Sequence, residues 1–88
     1  MYRVRVHRRA ARALDDLPAS VRERVLDLLQ VLEGDPVPVG RFDVEWMRGM
    51  SGWFRVRVGG YRVVYWVDEG GRVVSVERIV PRGGAYGG

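Results

Sequence analysis

The sequence predicts an α+β fold in which a helical hairpin packs on one face of a mainly antiparallel, four-stranded sheet, in the order β-α-α-β-β-β. Three features lead to this prediction. Apolar and charged residues alternate at the start of the chain and in its second half, as in strands with one buried face. Two stretches between them space their apolar residues three and four apart, as amphipathic helices do. Glycine-containing turns separate the later alternating stretches, as in hairpins.

The first strand is predicted at Met1–His7 and the first helix at Arg8–Leu17. The strand alternates between two faces, an apolar one with Tyr2, Val4 and Val6 and a basic one with Arg3, Arg5 and His7. The helix is alanine-rich, which favours helical structure. Pro18 follows it and is expected to end it.

A second helix is expected immediately after Pro18. Ser20 and Glu23 have the spacing of a capping box, in which each side chain accepts a hydrogen bond from the other residue's backbone N–H. Gly34 is expected to follow the helix end as the residue that favours a left-handed conformation. The apolar stripe of this helix consists of Val21, Val25, Leu28, Leu29 and Leu32.

The second half of the chain is predicted to form three strands. Asp35–Gly40 is rich in proline and glycine and is expected to be a loop, and Arg41–Gly52 shows no clear pattern. The strands are Trp53–Val58, Tyr61–Val67 and Arg72–Val80, with turns at Gly59-Gly60 and at residues 68–71 and with Pro81 after the last strand.

Composition excludes several classes of protein. A chain of 88 residues with 47% hydrophobic residues is expected to form one domain over residues 1–88. No apolar run is long enough for a transmembrane helix, and the N-terminus lacks the apolar core of a signal peptide, so we expect a cytoplasmic protein without a membrane partner. The chain has no cysteine and one histidine, so neither a metal nor another cofactor is expected.

The charge balance favours an anionic partner. All 15 basic residues are arginine, and the formal net charge is +4. A coding bias towards arginine would account for the absence of lysine. Guanidinium groups also bind phosphate and carboxylate oxygens better than ammonium groups do, because they donate paired hydrogen bonds. Composition alone leaves both explanations open.

Strand alternation predicts that several arginines share the sheet face opposite the helices. Either this is a solvated face screened by salt, or an anion binds there and offsets the repulsion between the guanidinium groups. A second basic and aromatic cluster near the C-terminus has the equipment for stacking single-stranded RNA bases. The face consists of Arg3, Arg5, Arg55, Arg57 and Arg62, and the second cluster of Arg78, Arg82 and Tyr86.

The segment from Arg48 to Tyr65 resembles the core of the RelE superfamily of toxins. The family pattern is a glycine-containing turn, a strand with basic residues two apart, a glycine turn, and then Tyr-Arg, an apolar pair and Tyr. In this chain the basic pair is Arg55 and Arg57, and the last motif is Gly60–Tyr65. The predicted element order and the tail from Arg82 to Tyr86 also match the family.

The resemblance implies a toxin of a type II toxin–antitoxin pair that enters the ribosomal A site and cuts mRNA without a metal. A ribose 2′-OH would attack the adjacent phosphate and leave a 2′,3′-cyclic phosphate and a free 5′-OH. The implied partners are an acidic antitoxin protein, the ribosome and mRNA. The family's catalytic positions fall on Arg55, Arg57, Arg62, Arg82 and Tyr86, and the neighbouring candidates for RNA binding are Arg3, Arg5, Arg48 and Arg78.

One departure from the family constrains the chemistry. The paired positions on the central strand are lysines in the best-known branch, whereas Arg55 and Arg57 stay protonated and can act only electrostatically. Tyr86 is the first candidate for the general base. His7 is expected to be structural, and Glu77 is expected to pair with a nearby arginine.

Two other functions are compatible with the sequence. One is a DNA gyrase inhibitor of the ParE type, which shares the fold and has no nuclease activity. The other is a catalytically silent RNA-binding or autoregulatory module, since the residues supply no secure general base. All three functions imply an antitoxin that folds on binding.

Overall fold

The computed structural model describes residues 1–82 and has two helices and five strands in the order β-α-α-β-β-β-β. The predicted α+β class is confirmed, with one strand more than expected. The elements are β1 (Arg3–Val6), α1 (Arg8–Asp15), α2 (Ala19–Gly34), β2 (Asp43–Trp46), β3 (Trp53–Val58), β4 (Tyr61–Asp68) and β5 (Val73–Pro81).

The additional strand, β2, comes from the stretch in which the sequence showed no clear pattern. It lies at one edge of the sheet, whose order is β1-β5-β4-β3-β2. Val44 and Trp46 pair with residues of the core face of β3, and Asp43 and Glu45 alternate to the other face. A strand of four residues offers only two alternations, so its period is hard to distinguish from the surrounding charged loop.

The two helices begin differently from each other. His7 caps α1, because its Nδ1 accepts a hydrogen bond from the backbone N–H of Arg9 at 3.1 Å, so its expected structural role is confirmed. The predicted capping box of α2 is wrong. Pro18 is the N-cap, its carbonyl accepts from the N–H of Arg22 at 2.9 Å, and Ser20 already lies inside the first turn.

The end of α2 also differs from the expectation. Gly34 is the last helical residue, and Asp35 follows it as the C-cap, donating its N–H to the carbonyl of Val31 at 2.9 Å. The backbone leaves the helix through the extended conformation of Asp35, so no left-handed glycine is needed there.

The core lies between the helices and one face of the sheet. Helix α1 packs on β5, and α2 packs across β1 and β3. The Tyr65 hydroxyl donates to the carbonyl of Pro36 at 2.8 Å, and burial raises the pKa of this phenol above its ordinary value. The largest fully buried side chains are Tyr65, Leu28, Leu32, Val25, Val56, Val58, Val63, Val74 and Val76.

The turn before β3 requires glycine at position 52. Gly52 has a φ of 83°, and its carbonyl accepts from the N–H of Val67 at 2.9 Å. A Cβ at this position would lie 3.3 Å from the Val67 carbonyl oxygen. Both the backbone conformation and the close approach of β4 therefore exclude a side chain.

We predict that Gly52→Ala lowers the free energy of unfolding by about 1–3 kcal/mol. Gly60→Ala is the matched control, because a Cβ at Gly60 would meet no atom within 4 Å. That variant should stay within about 0.5 kcal/mol of the parent. Urea unfolding of the three proteins measures both effects, and equal losses in the two variants would contradict the assignment.

Candidate functional site

The sheet face opposite the helices holds the basic residues of the central strands. The register places Arg57 beside Arg62 across the β3–β4 hairpin, as expected from the sequence. One step along the strands, Val64 lies between Arg55 on β3 and Arg78 on β5. Because side chains alternate across a strand, these arginines share the face that the described helices leave uncovered.

An open cleft of about 230 Å³ lies on this face. Three arginines from three adjacent strands reach it, namely Arg55, Arg62 and Arg78. Arg55 and Arg62 are half-buried, whereas Arg78 is exposed. The remaining lining is apolar and consists of Met47, Val64 and Val80. Such a cleft suits an anion, because guanidinium groups donate forked hydrogen bonds above a floor with little competing water.

Carboxylates on β2 pair with both arginines of β3. Glu45 Oε1 lies 2.9 Å from Arg55 Nε, and Asp43 Oδ2 lies 3.7 Å from Arg57 Nε. The repulsion expected on this face is therefore partly offset by the protein itself. The pair with Glu45 also fixes the direction of the Arg55 guanidinium at the rim of the cleft.

Arg57 is not part of the same cleft as Arg55 and Arg62. It lines a separate charged cleft of about 260 Å³ at the β2 edge. The other residues that line it are Arg24, Asp27, Arg41, Phe42 and Asp43. The structure therefore brings together two of the three strand arginines that the family resemblance assigned to catalysis.

The lining of the cleft does not include the other described arginines that were proposed from the sequence. Arg82 is exposed just past the end of β5, and its N–H donates to the carbonyl of Gly60 at 2.7 Å. Arg48 is exposed in the β2–β3 connection. Arg3 and Arg5 are exposed on β1, which β4 and β5 separate from β3. Tyr86, the proposed base, lies outside the described residues.

A β-bulge in β5 controls the approach of Arg78 to the cleft. Val64 of β4 pairs with Arg78 of β5, and the next residue, Tyr65, pairs with Val76. Glu77 is therefore an extra residue in β5 that has no partner in β4. Glu77 and Arg78 consequently both face the open side, although they are consecutive in sequence.

Glu77 is the centre of a hydrogen-bond network. Its Oε2 accepts from Ser75 Oγ at 2.8 Å and from Trp66 Nε1 at 3.1 Å. Arg9 donates to the Glu77 carbonyl at 3.1 Å, and its guanidinium lies 3.6 Å from the carboxylate, so the predicted pairing with an arginine is confirmed. The hydrogen bonds from Ser75 and Trp66 and the charge of Arg9 hold the pKa of Glu77 below its usual range, although burial opposes this.

Sequence reasoning missed the roles of Glu45 and Met47 and the hydrogen bonds of Glu77 with Ser75 and Trp66. The charged–apolar alternation from Asp43 to Trp46 is the signal that identifies β2 and hence Glu45. The bulge has no comparable signal, because the extra residue shows itself only in the pairing with β4.

Residues 1–82 hold neither a candidate metal-binding cluster nor a helix suited to crossing a membrane. Within that part of the chain, no cluster of three or more histidine or acidic side chains could hold a metal ion. None of the helices described there is long and apolar enough to cross a membrane.

Comparison with known proteins assigns the family. Residues 4–86 match the model of a family described as the ParE toxin of the type II toxin–antitoxin system parDE. A protein of Methanocaldococcus jannaschii named RelE1 is 34% identical over 85 residues, which are 97% of this chain and 94% of that protein. This chain belongs to the RelE/ParE toxin superfamily. The resemblance predicted from the Gly60–Tyr65 motif is therefore confirmed.

Solved structures of RelE/ParE toxins share the fold. The crystal structure of the archaeal RelE–RelB complex of Pyrococcus horikoshii matches with a TM-score of 0.85 and 37% identity, over 96% of this chain and 98% of that one. The RelBE2 complex of Mycobacterium tuberculosis matches with a TM-score of 0.72 and 28% identity, over 92% and 98%. The intact RelBE complex of Escherichia coli matches with a TM-score of 0.77 and 25% identity, over 92% and 96%.

For this RelE/ParE toxin we predict that Glu77→Gln lowers the free energy of unfolding by about 1 kcal/mol at neutral pH. A carboxylate with a lowered pKa in the folded state stabilises the fold above its unfolded pKa, and this contribution disappears as pH falls through the folded value. Parent and variant should therefore converge in acid.

Thermal and urea unfolding from pH 3 to pH 7 tests this expectation. Glu23→Gln is the control, because Glu23 is exposed on α2, remote from the network. A gap between parent and Glu77→Gln that keeps its size at pH 3 would contradict the proposed charge dependence.

Proposed function

We propose that this toxin is a ribosome-dependent endoribonuclease that cuts translated mRNA in the A site and thereby stops protein synthesis in the cytoplasm. A ribose 2′-OH attacks the adjacent phosphorus, the bond to the 5′-oxygen breaks, and the products are a 2′,3′-cyclic phosphate and a free 5′-OH. The 2′-OH proton passes to a base, and the leaving 5′-oxygen takes up a proton. No metal takes part in the proposed reaction.

The single observation that supports this proposal most strongly is the meeting of Arg55, Arg62 and Arg78 in one cleft. Negative charge accumulates on the non-bridging oxygens as the phosphorane forms. Fixed guanidinium groups stabilise that charge without reorganisation, which is the largest single source of rate in many enzymes. We place Arg82 at the end of the same cleft as a further donor to the phosphate.

Proton transfer requires groups other than these arginines, since a guanidinium does not release its proton in proteins. Glu45 is already bonded to Arg55, which reduces its availability as a base. We therefore keep Tyr86 as the proposed general base. The ribosome would supply the alignment of the 2′-OH with the phosphorus, a positioning effect worth many orders of magnitude in rate.

An acidic antitoxin is the proposed protein partner. The arginines of the open face and the chain's net charge of +4 suit a peptide rich in carboxylates. The relatives from P. horikoshii, M. tuberculosis and E. coli were crystallised as toxin–antitoxin complexes. Occupation of the cleft by such a peptide would exclude RNA and so keep the toxin inactive.

The second candidate function is inhibition of DNA gyrase, since the matching family model is that of ParE toxins. The two functions require different properties of the cleft. A nuclease needs its guanidinium groups at the reacting phosphate, whereas a gyrase inhibitor needs only a complementary surface. Arginine substitutions in the cleft therefore distinguish them.

We predict that Arg62→Ala and Arg82→Ala each reduce mRNA cleavage by about 10²–10³-fold, the usual cost of removing one donor to a developing oxyanion. Arg12→Ala is the matched control, because it removes the same charge from the exposed surface of α1 and should leave cleavage unchanged. Primer extension on mRNA from induced cells measures cleavage, and circular dichroism of each purified protein checks the fold.

Two outcomes would count against the proposal. Full cleavage and toxicity in both cleft variants would show that the site lies elsewhere. Relaxed plasmid DNA with intact translated mRNA after induction would favour gyrase as the target. Co-expression of the proposed acidic antitoxin should restore growth in cells that carry the parent toxin.

A further inference from the structure

Two tryptophans lie side by side on the open face next to the cleft. Trp53 on β3 and Trp66 on β4 are direct partners in the register, and their ring centroids are 6.4 Å apart at an interplanar angle of 40°. Both side chains are half-buried, so part of each ring is accessible to solvent. The face of the sheet that holds them is the one that holds Arg55 and Arg62.

The orientation of Trp66 is fixed by polar contacts instead of by the core. Its Nε1 donates to Glu77 Oε2 at 3.1 Å, and Glu77 is in turn held by Ser75 and Arg9. The indole N–H is thus satisfied by the protein, and the ring need not reorient when a ligand binds. A preorganised aromatic surface loses little conformational entropy on binding.

The tryptophan pair is also one step of the sheet away from the cleft. Trp53 precedes Arg55 by two residues, and Trp66 follows Val64 by two, so the pair and the cleft are about 7 Å apart along the strands. An extended nucleotide spans such a distance between its phosphate and its base. An anion in the cleft would therefore place an attached planar group over the tryptophans.

We propose that Trp53 and Trp66 form a base-stacking platform for the nucleotide attached to the phosphate bound in the cleft. This inference rests on the proposed function, because the occupant is the RNA strand whose phosphate the arginines bind. Aromatic platforms beside basic grooves bind single strands with little sequence preference, since every base offers a π face. The platform would hold the substrate strand without reading its sequence.

Trp46 provides an internal comparison. It is 65% exposed and makes an edge contact with Phe54 on the core face at the β2 edge. Trp46 lines neither the cleft of Arg55, Arg62 and Arg78 nor the charged cleft at the β2 edge. Exposure alone does not make a tryptophan a base platform, whereas the adjacency of Trp53 and Trp66 to a phosphate-sized cationic cleft does.

The test compares RNA pentamers that have every base with pentamers that lack one base but keep every phosphate. All ribose groups carry 2′-O-methyl groups, so the strand cannot be cleaved. Fluorescence anisotropy measures the affinity of the full-length toxin for each pentamer at low salt, with the missing base moved along the strand. Loss of the stacked base should weaken binding by about 10-fold at one position.

The dissociation constant of the pentamer that lacks the stacked base, divided by that of the complete pentamer, gives a base-dependent ratio. This ratio should fall towards one in Trp66→Leu and Trp53→Leu, whereas Trp66→Tyr should keep most of it. Trp46→Leu is the matched control and should keep the full ratio. Arg62→Ala and Arg78→Ala should weaken binding of both kinds of pentamer by the same factor, because they remove phosphate contacts. Thermal unfolding of each variant confirms that it is folded.

The outcomes separate the two proposals. An unchanged ratio in both leucine variants, or no base dependence in the parent, overturns the platform and leaves the proposed function standing. If the leucine variants bind RNA like the parent but bind the antitoxin less tightly, the tryptophan pair belongs to the interface with the protein partner. That outcome also overturns the platform. Unchanged RNA affinity in Arg62→Ala and Arg78→Ala counts against the proposed function itself.

Discussion

One extra residue in β5 decides which side chains reach the cleft. Val76 before the bulge and Ile79 after it both face the helices, a spacing of three that a regular strand cannot produce. In a regular strand Arg78 would point into the core, where an unpaired guanidinium costs several kcal/mol. The bulge lets the same strand complete the core and supply a cation to the open face.

The residue that forms the bulge also links its surroundings. Glu77 connects Arg9 of α1, Ser75 of its own strand and Trp66 of β4, so the two layers of the molecule meet at this carboxylate. A bulge needs such support because its extra residue is left out of the strand ladder. The position of Arg78 and the orientation of Trp66 consequently depend on one group.

The alternation of apolar and charged residues in β3 and β4 is enough to predict which side chains face the core. It correctly places Phe54 in the core and Arg55 on the opposite face. It was not sufficient for contacts that depend on strand order. The pairing of Arg55 with Glu45 requires β2 at the sheet edge. The separation of Arg3 from the cleft requires the register that pairs it with Val73, at the end of β5 opposite to Val80. The local periodicity of a strand predicts which of its side chains share a face of the sheet. The register of the strand and its place in the sheet depend on contacts between residues that are distant in sequence.

In the proposed reaction, a cleft whose cations are all arginines separates phosphate binding from proton transfer. A guanidinium does not release its proton in proteins, so the arginines of the cleft can offer fixed positive charge to a phosphate but cannot accept the 2′-OH proton. In the proposed reaction, any dependence of the rate on pH then comes from the groups that accept the 2′-OH proton and donate a proton to the 5′-oxygen. Where lysines occupy the positions of Arg55 and Arg57, one residue can both bind phosphate and move a proton. Under the proposed function those tasks belong to different residues in this chain, and the arginines of the cleft serve the phosphate alone.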